Sequence, residues 1–375
     1  MKKAAAILLV LCTLASLCAC AASAKPLSAT FTISELKAFG HINISADSKQ
    51  FLDLGFRYGD VCDLEFSNGE KLKDIPFFSG YFSKTGERLI VDYQGYDYIC
   101  IAENNGAPLW YTLGCKEGDT VTITRTAAEK FAKKNELLGV VYSDNRADFP
   151  SDEAFANYRP MNVGKLRKNT FFRGASPVEN KHKRAEIAEK LIARDGIRYI
   201  VDLADSDEKF NSYIGSDNVS RAYAEDLKKK GDCICLGMDA NFKGDEYRQK
   251  VISGLRGMMK AEGPYYIHCT EGKDRTGFFC ILLEALAGAT HEQIRDDYMK
   301  TYENYFGITP EKDPGRYKAF EDLRFRELIC WITGKPETEA LSGQTFEEGA
   351  KQYLLKGGMT EEEVDALQKL LTEEP

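Results

Sequence analysis

Only four histidines occur in 375 residues, at positions 41, 182, 268 and 291, too scattered to make a metal-ligand cluster. No basic tract appears either. The chain has 50 Lys and Arg against 58 Asp and Glu, a formal net charge of −8. That balance argues against nucleic acid as a partner and against docking on anionic lipid through bulk charge. It leaves an anionic substrate open, because a local cradle of donors can overcome an acidic surround. The 11 cysteines have no even, regular spacing, so no disulfide framework is expected. Cys280 and Cys330 fall in apolar helical runs and read as core. Cys233 and Cys235 alternate on one strand, share a face and cannot easily bridge.

No apolar run is long enough for a retained membrane span. The longest begins after Lys2-Lys3, runs from Ala4 to Ala15 and gives way to small residues. That is the pattern of a secretory leader over residues 1–24. Ala22-Ser23-Ala24 is a small-x-small cleavage site that leaves Lys25 first. Leu17-Cys18-Ala19-Cys20 equally resembles a bacterial lipobox, which would put a lipid on Cys20. Either route predicts export, as a secreted protein or one anchored by lipid to the outer face of a bacterial membrane. Loss of Lys2 and Lys3 leaves 48 basic against 58 acidic residues, a net charge of −10.

What is present divides in two, as the length allows. Residues 28–126 read as a β-rich accessory domain, a small barrel or sandwich. Its short strands are Phe51–Leu54, Val61–Phe66, Arg88–Val91, Tyr98–Ala102 and Thr120–Thr124, separated by turn signals such as Ser67-Asn68-Gly69 and Glu117-Gly118-Asp119. Its dense aromatics, among them Phe77, Phe78, Tyr81, Phe82, Tyr93, Tyr96, Tyr98, Trp110 and Tyr111, read first as core and turn packing and second as a docking face. Ala127–Lys134 reads as a short helix or linker, and Leu138-Gly139-Val140-Val141 as the start of a new strand.

From 139 to 375 strands and helices alternate, which predicts an α/β domain with a mostly parallel sheet flanked by helices. Helices are expected over Ala185–Arg194, Ala222–Lys230, Glu246–Glu262, Thr290–Phe306, Arg316–Ile332 and Thr360–Leu371, the last opened by a Thr360/Glu363 capping box. Strands are expected over Ile197–Leu203, Asp232–Met238 and Pro264–Ile267. In such sheets the site lies beyond the carboxyl ends of the strands, where Asp202, Asp205, Asp239 and Cys269 project.

The stretch His268-Cys269-Thr270-Glu271-Gly272-Lys273-Asp274-Arg275-Thr276-Gly277 follows one of those strands and opens a helix. A strand–loop–helix turn collects loop N–H groups and a helix N-terminus around one point, which makes an anion cradle. Arg275 adds a planar charged fork suited to two phosphate oxygens. A thiol in that field ionises easily, and the thiolate is a nucleophile.

This stretch resembles the signature loop of the cysteine-dependent protein tyrosine phosphatase superfamily: His-Cys, five residues, then Arg-Ser/Thr-Gly. His268, Cys269, Gly272, Arg275, Thr276 and Gly277 all match. With Phe171-Phe172-Arg173-Gly174 upstream, the loop is similar to that of the bacterial atypical, tyrosine phosphatase B-like branch, over roughly residues 139–333. The resemblance implies hydrolysis of a phosphate monoester on a phosphorylated protein, a lipid or an inositol phosphate, without cofactor or metal. It makes Cys269 the nucleophile, Arg275 the phosphate ligand, Thr276 a hydroxyl donor to the sulfur and His268 a holder of the loop. Thr270, Glu271, Gly272, Lys273, Gly277 and Arg173 form the implied substrate-binding set. Lys273 stands where phosphoinositide 3-phosphatases carry Lys, an extra cation for a second phosphate; it also reads as a solvated loop residue. Arg173 reads as a partner of a sheet-end carboxylate such as Asp202, or as reaching substrate.

The general acid has two main candidates, with Asp245 third. Asp274 lies inside the loop, where myotubularin-type and Sac-type enzymes carry Asp, and is ranked first. Asp239 ends a strand 30 residues upstream in Leu236-Gly237-Met238-Asp239, where Trp-Pro-Asp is absent. Two other classes remain: a rhodanese-like sulfurtransferase, and a surface binding protein with a weak site, which would be expected to lack Cys or Arg.

Overall fold

The computed structural model describes residues 26–37, 40–239, 241–335 and 343–373, without the side chains of 343–345. The expected leader and Cys20 lie outside the described residues.

Seven strands close a barrel in the order β1-β2-β6-β5-β4-β3-β7. They are β1 (Ser28–Leu36), β2 (Ile42–Ile44), β3 (Val61–Phe66), β4 (Lys71–Phe78), β5 (Arg88–Val91), β6 (Cys100–Glu103) and β7 (Thr120–Ala127). All pairings are antiparallel except β4 with β5. Alternating side chains of these strands fill the interior, with Phe51 stacked on Phe56 at 4.3 Å in the same cluster. Phe51 arrives on a helix, Ser48–Asp53, where a strand was expected. Asp47 decides this: it accepts from the Gln50 amide at 2.7 Å while the Gln50 side chain accepts from the Asp47 amide at 3.0 Å. Of the aromatics, Phe77 and Phe78 are buried, whereas Tyr96, Tyr98 and Tyr111 are exposed.

One outer face of the barrel is not solvated. Phe78, Phe82, Leu89, Val91, Cys100 and Ala102 belong to the same buried cluster as the second half of the chain. Two polar ties accompany it: the Thr85 amide donates to Glu327 at 2.8 Å, and Arg324 donates to the Tyr81 carbonyl.

The second half holds a five-stranded sheet in the order β11-β10-β12-β9-β8. The strands are β8 (Arg159–Pro160), β9 (Phe171–Gly174), β10 (Tyr199–Asp202), β11 (Cys233–Cys235) and β12 (Tyr265–His268). Those from β9 to β12 run parallel, and β8 is an antiparallel edge. Every residue of β9, β10 and β12 is buried, as a sheet covered on both faces requires. Register aligns Gly174, His268, Asp202 and Cys235 in one row at the carboxyl ends. That row is the floor of the site.

Two expected elements differ. Leu138–Val141 starts no strand: the helix Ala132–Leu138 ends there, with the Gly139 amide returning to Asn135 at 2.7 Å, and the chain continues irregularly to residue 145. Arg316–Ile332 is not one α-helix but two, Pro314–Phe320 and Arg326–Thr333, joined by a π turn at Glu321–Phe325.

Candidate active site

Between β12 and the helix Asp274–Leu286 the loop must satisfy its own backbone. Its carbonyls all face away from the centre. Thr270 O accepts from the Ser176 amide at 3.1 Å. Glu271 O accepts from the Tyr305 hydroxyl at 2.6 Å and from Asn157 Nδ2 at 3.3 Å. Gly272 O accepts from Asn157 Nδ2 at 3.1 Å and Arg173 Nη2 at 3.2 Å. A peptide unit with its carbonyl turned out has its N–H turned in. The amides of residues 271–275 accordingly donate to no carbonyl among the described residues, and they converge with the start of a 13-residue helix. Gly272 makes the bend possible at φ +69°; a Cβ there would lie 2.2 Å from Gly174 O.

Cys269, buried at 3% exposure, sits at the base of this cradle. Arg275 spans its mouth, Nη1 donating to Met238 O at 2.8 Å and Nη2 lying 3.5 Å from Thr270 Oγ1. Burial lowers the Arg275 pKa, but Cys269, Tyr247, Asp202 and Asp274 outweigh it, so its charge is secure. His268 is wholly buried, and burial lowers its pKa to about 4, so it is neutral at physiological pH. Nδ1 faces Cys269 O at 3.4 Å and so carries the proton, leaving Nε2 toward Asp202 Oδ2 at 3.9 Å. Burial, then the neighbouring Asp205, raises Asp202 well above the usual carboxylate range. The Thr276 hydroxyl, expected on the sulfur, is buried and has no hydrogen-bond partner among the described residues.

The implied substrate-binding set separates. Arg173 neither pairs with Asp202 nor reaches the cradle. It is fully buried, donating from Nη1 to Asp297 at 2.5 Å and from Nη2 to Gly272 O, so it is a strut behind the loop. Arg159 holds the other Asp297 oxygen at 2.8 Å. Gly277 is small because Tyr298 packs on it; a Cβ would meet that ring at 2.6 Å. Lys273 is neither solvated nor free for a ligand: its Nζ lies 3.0 Å from Glu271 Oε2 and donates to the Tyr142 hydroxyl. Glu271 also accepts from Tyr142 at 2.6 Å and faces His182 Nε2 at 3.5 Å. Burial pushes the Glu271 carboxyl up, but Lys273, His182 and Tyr142 overcome that and hold it well below its usual range.

Asp274 is the first residue of the loop's helix, half-exposed and 3.8 Å from Lys273 Nζ. Asp239 is exposed, takes the Asn241 amide at 2.9 Å, and follows the residue whose carbonyl holds Arg275. Tyr142, Asn157, Arg159, Tyr305, Asp297 and His182 were not anticipated. They come from segments up to 163 residues apart in number (142 to 305), with only the left-handed φ of Asn157, +51°, as a local sign.

A family model described as a tyrosine phosphatase family matches residues 155–373, more than half of the chain. No curated protein matches. Among solved structures, an uncharacterized conserved protein from Thermotoga maritima shares 22% identity at a TM-score of 0.23. The match covers 27% of this chain and 37% of that one, so the chain spans little more than a third of that structure.

Proposed function

We propose that this chain, which belongs to the tyrosine phosphatase family, hydrolyses phosphate monoesters through a phosphocysteine intermediate. The observation that carries the reading is the outward set of carbonyls at Thr270, Glu271 and Gly272, which turns the amides of the loop that follows Cys269 inward. The thiolate attacks phosphorus, the ester oxygen leaves with a proton, and water then hydrolyses the S–P bond. Inward amides and Arg275 bear the charge on the equatorial oxygens in both steps. Neutral His268 holds the Cys269 carbonyl and moves no proton.

For the general acid our reading places Asp239 ahead of Asp274, the opposite of the order read from sequence. Asp274 opens the helix after the loop, with Oδ2 3.8 Å from Lys273 Nζ. Asp239 adjoins the carbonyl on Arg275 and has no cation paired to its carboxylate among the described residues. Asp239 is therefore the proton donor and Asp274 a partner of the loop. Phosphotyrosine and phosphoinositide or inositol phosphate esters are the substrate classes, met outside the cell by a secreted or Cys20-lipidated protein. The leader pattern of residues 1–24 supports that location, and the mass of the mature N-terminus tests it.

Released phosphate tests the chemistry. Cys269→Ser should lower turnover by at least about a thousandfold while still binding substrate; near wild-type turnover would sink the reading. Asp239→Asn should damage an alkyl phosphate by about 10²–10⁴-fold and an activated aryl phosphate far less. Selective loss in Asp274→Asn instead would restore Asp274 as the acid.

A further inference from the structure

Lys273 carries the charge that would admit a second phosphate, yet two of its three hydrogens are committed. An ammonium has three hydrogens. Nζ meets Glu271 Oε2 at 3.0 Å and the Tyr142 hydroxyl, stands 3.8 Å from Asp274 Oδ2 and lies 5.1 Å from the Tyr142 ring centre. The side chain is 15% exposed. Tyr142 is itself fixed, stacked on His182 at 5.3 Å and edge-on to Phe306 at 4.9 Å. It comes from the irregular stretch before residue 155, outside the part of the chain that matches the family. A strap from outside the family domain thus closes on a lysine inside its signature loop.

We propose that Glu271 and Tyr142 are specificity-determining residues that hold Lys273 neutralised, so that the site prefers esters bearing one phosphate over those with a second phosphate next to the first. This rests on the phosphatase reading of the same site. The physical basis is local charge. A single phosphate is met by Arg275 and the loop amides. A neighbouring phosphate meets the carboxylates of Glu271 and Asp274, with the nearest ammonium already paired, and like charges at that range repel.

The test compares kcat/KM for an inositol bisphosphate with adjacent phosphates against kcat/KM for an aryl monophosphate, on the full chain. Glu271→Gln removes one negative charge and loosens Lys273. The ratio should rise by about tenfold, as the removal of a like-charge clash predicts. Tyr142→Phe leaves the Glu271–Lys273 pair in place and should raise the ratio by only about threefold, in keeping with one lost hydrogen bond. Adding Lys273→Met to Glu271→Gln should erase the gain, which a merely structural role for Glu271 would not do. An unchanged or lower ratio in Glu271→Gln overturns the proposal, and so does a gain that survives Lys273→Met. If Glu271→Gln does not fold, Tyr142→Phe decides alone: an unmoved ratio overturns it. Absence of phosphate release from both substrates in the wild-type protein would instead count against the phosphatase reading.

Discussion

The two halves of the molecule bury different things. The barrel interior is almost wholly apolar, and the one fully buried carboxylate among the described residues of that half, Asp60, is satisfied by the amides of Arg57 and Glu129 at 2.8 Å each. Beneath the signature loop the other half buries Arg173, Asp202, Asp205, His268 and Glu284. Removing charge from water costs several kcal/mol per ion unless geometry repays it. The barrel therefore shows what holding a shape requires. The additional ionisable groups in the other half, some of them held neutral like His268, mark where the shape must also hold an anion.

The largest effect should come from removing one partner of this buried network. Arg173→Leu leaves Asp297 with Arg159 only and Gly272 O with Asn157 only. It should cost about 3–5 kcal/mol, as does the removal of one partner from a buried pair, read from urea unfolding, with turnover lost as well. Next, Gly272→Ala forces a Cβ onto Gly174 O and disturbs the inward amides. Turnover should fall by about 10²–10³-fold, the usual loss for a donor of this kind, and a smaller loss would mean that the loop has room to shift.

His268 tests the comparison through pH. Its folded pKa is about 4 against 6.5 for the free side chain. The unfolded chain therefore takes up the proton first, and stability falls as pH drops from about 6.5 to about 4, then levels. The full span is about 3 kcal/mol at 1.36 kcal/mol per unit. Asp202 titrates nearby, so the difference between wild type and His268→Gln is the quantity to follow; a flat difference would refute the assignment. The smallest effect belongs to the barrel: Ile101→Val, fully buried there, should cost about 1 kcal/mol and leave turnover per folded molecule unchanged. A change in turnover would show that the barrel interior reaches the chemistry.

The loop was legible in sequence because it is local: a strand, ten residues and a helix lie end to end. Strands such as Val61–Phe66 and Arg88–Val91 were legible from their apolar runs between turns. The struts were not. Asn157, Tyr305 and Asp297 lie in ordinary surroundings and become functional only when the sheet brings them behind Gly272. Lys273 misled for the same reason, since its charge is visible in sequence while its partner Tyr142 is 131 residues away. Phe51 misled locally, because an apolar run does not distinguish a strand from a helix capped by Asp47.

Phe78, Phe82, Leu89 and Val91 line the barrel's outer face and belong to the core of the other half. During synthesis this face emerges first; Phe131 and Lys134 reach Phe78 soon after, but the ties at Arg324 and Glu327 wait for the residues beyond 320, a delay on the order of tens of seconds at ribosomal rates. For that interval the nascent barrel is a closed ring with an adhesive side. A chaperone has to bridge the wait.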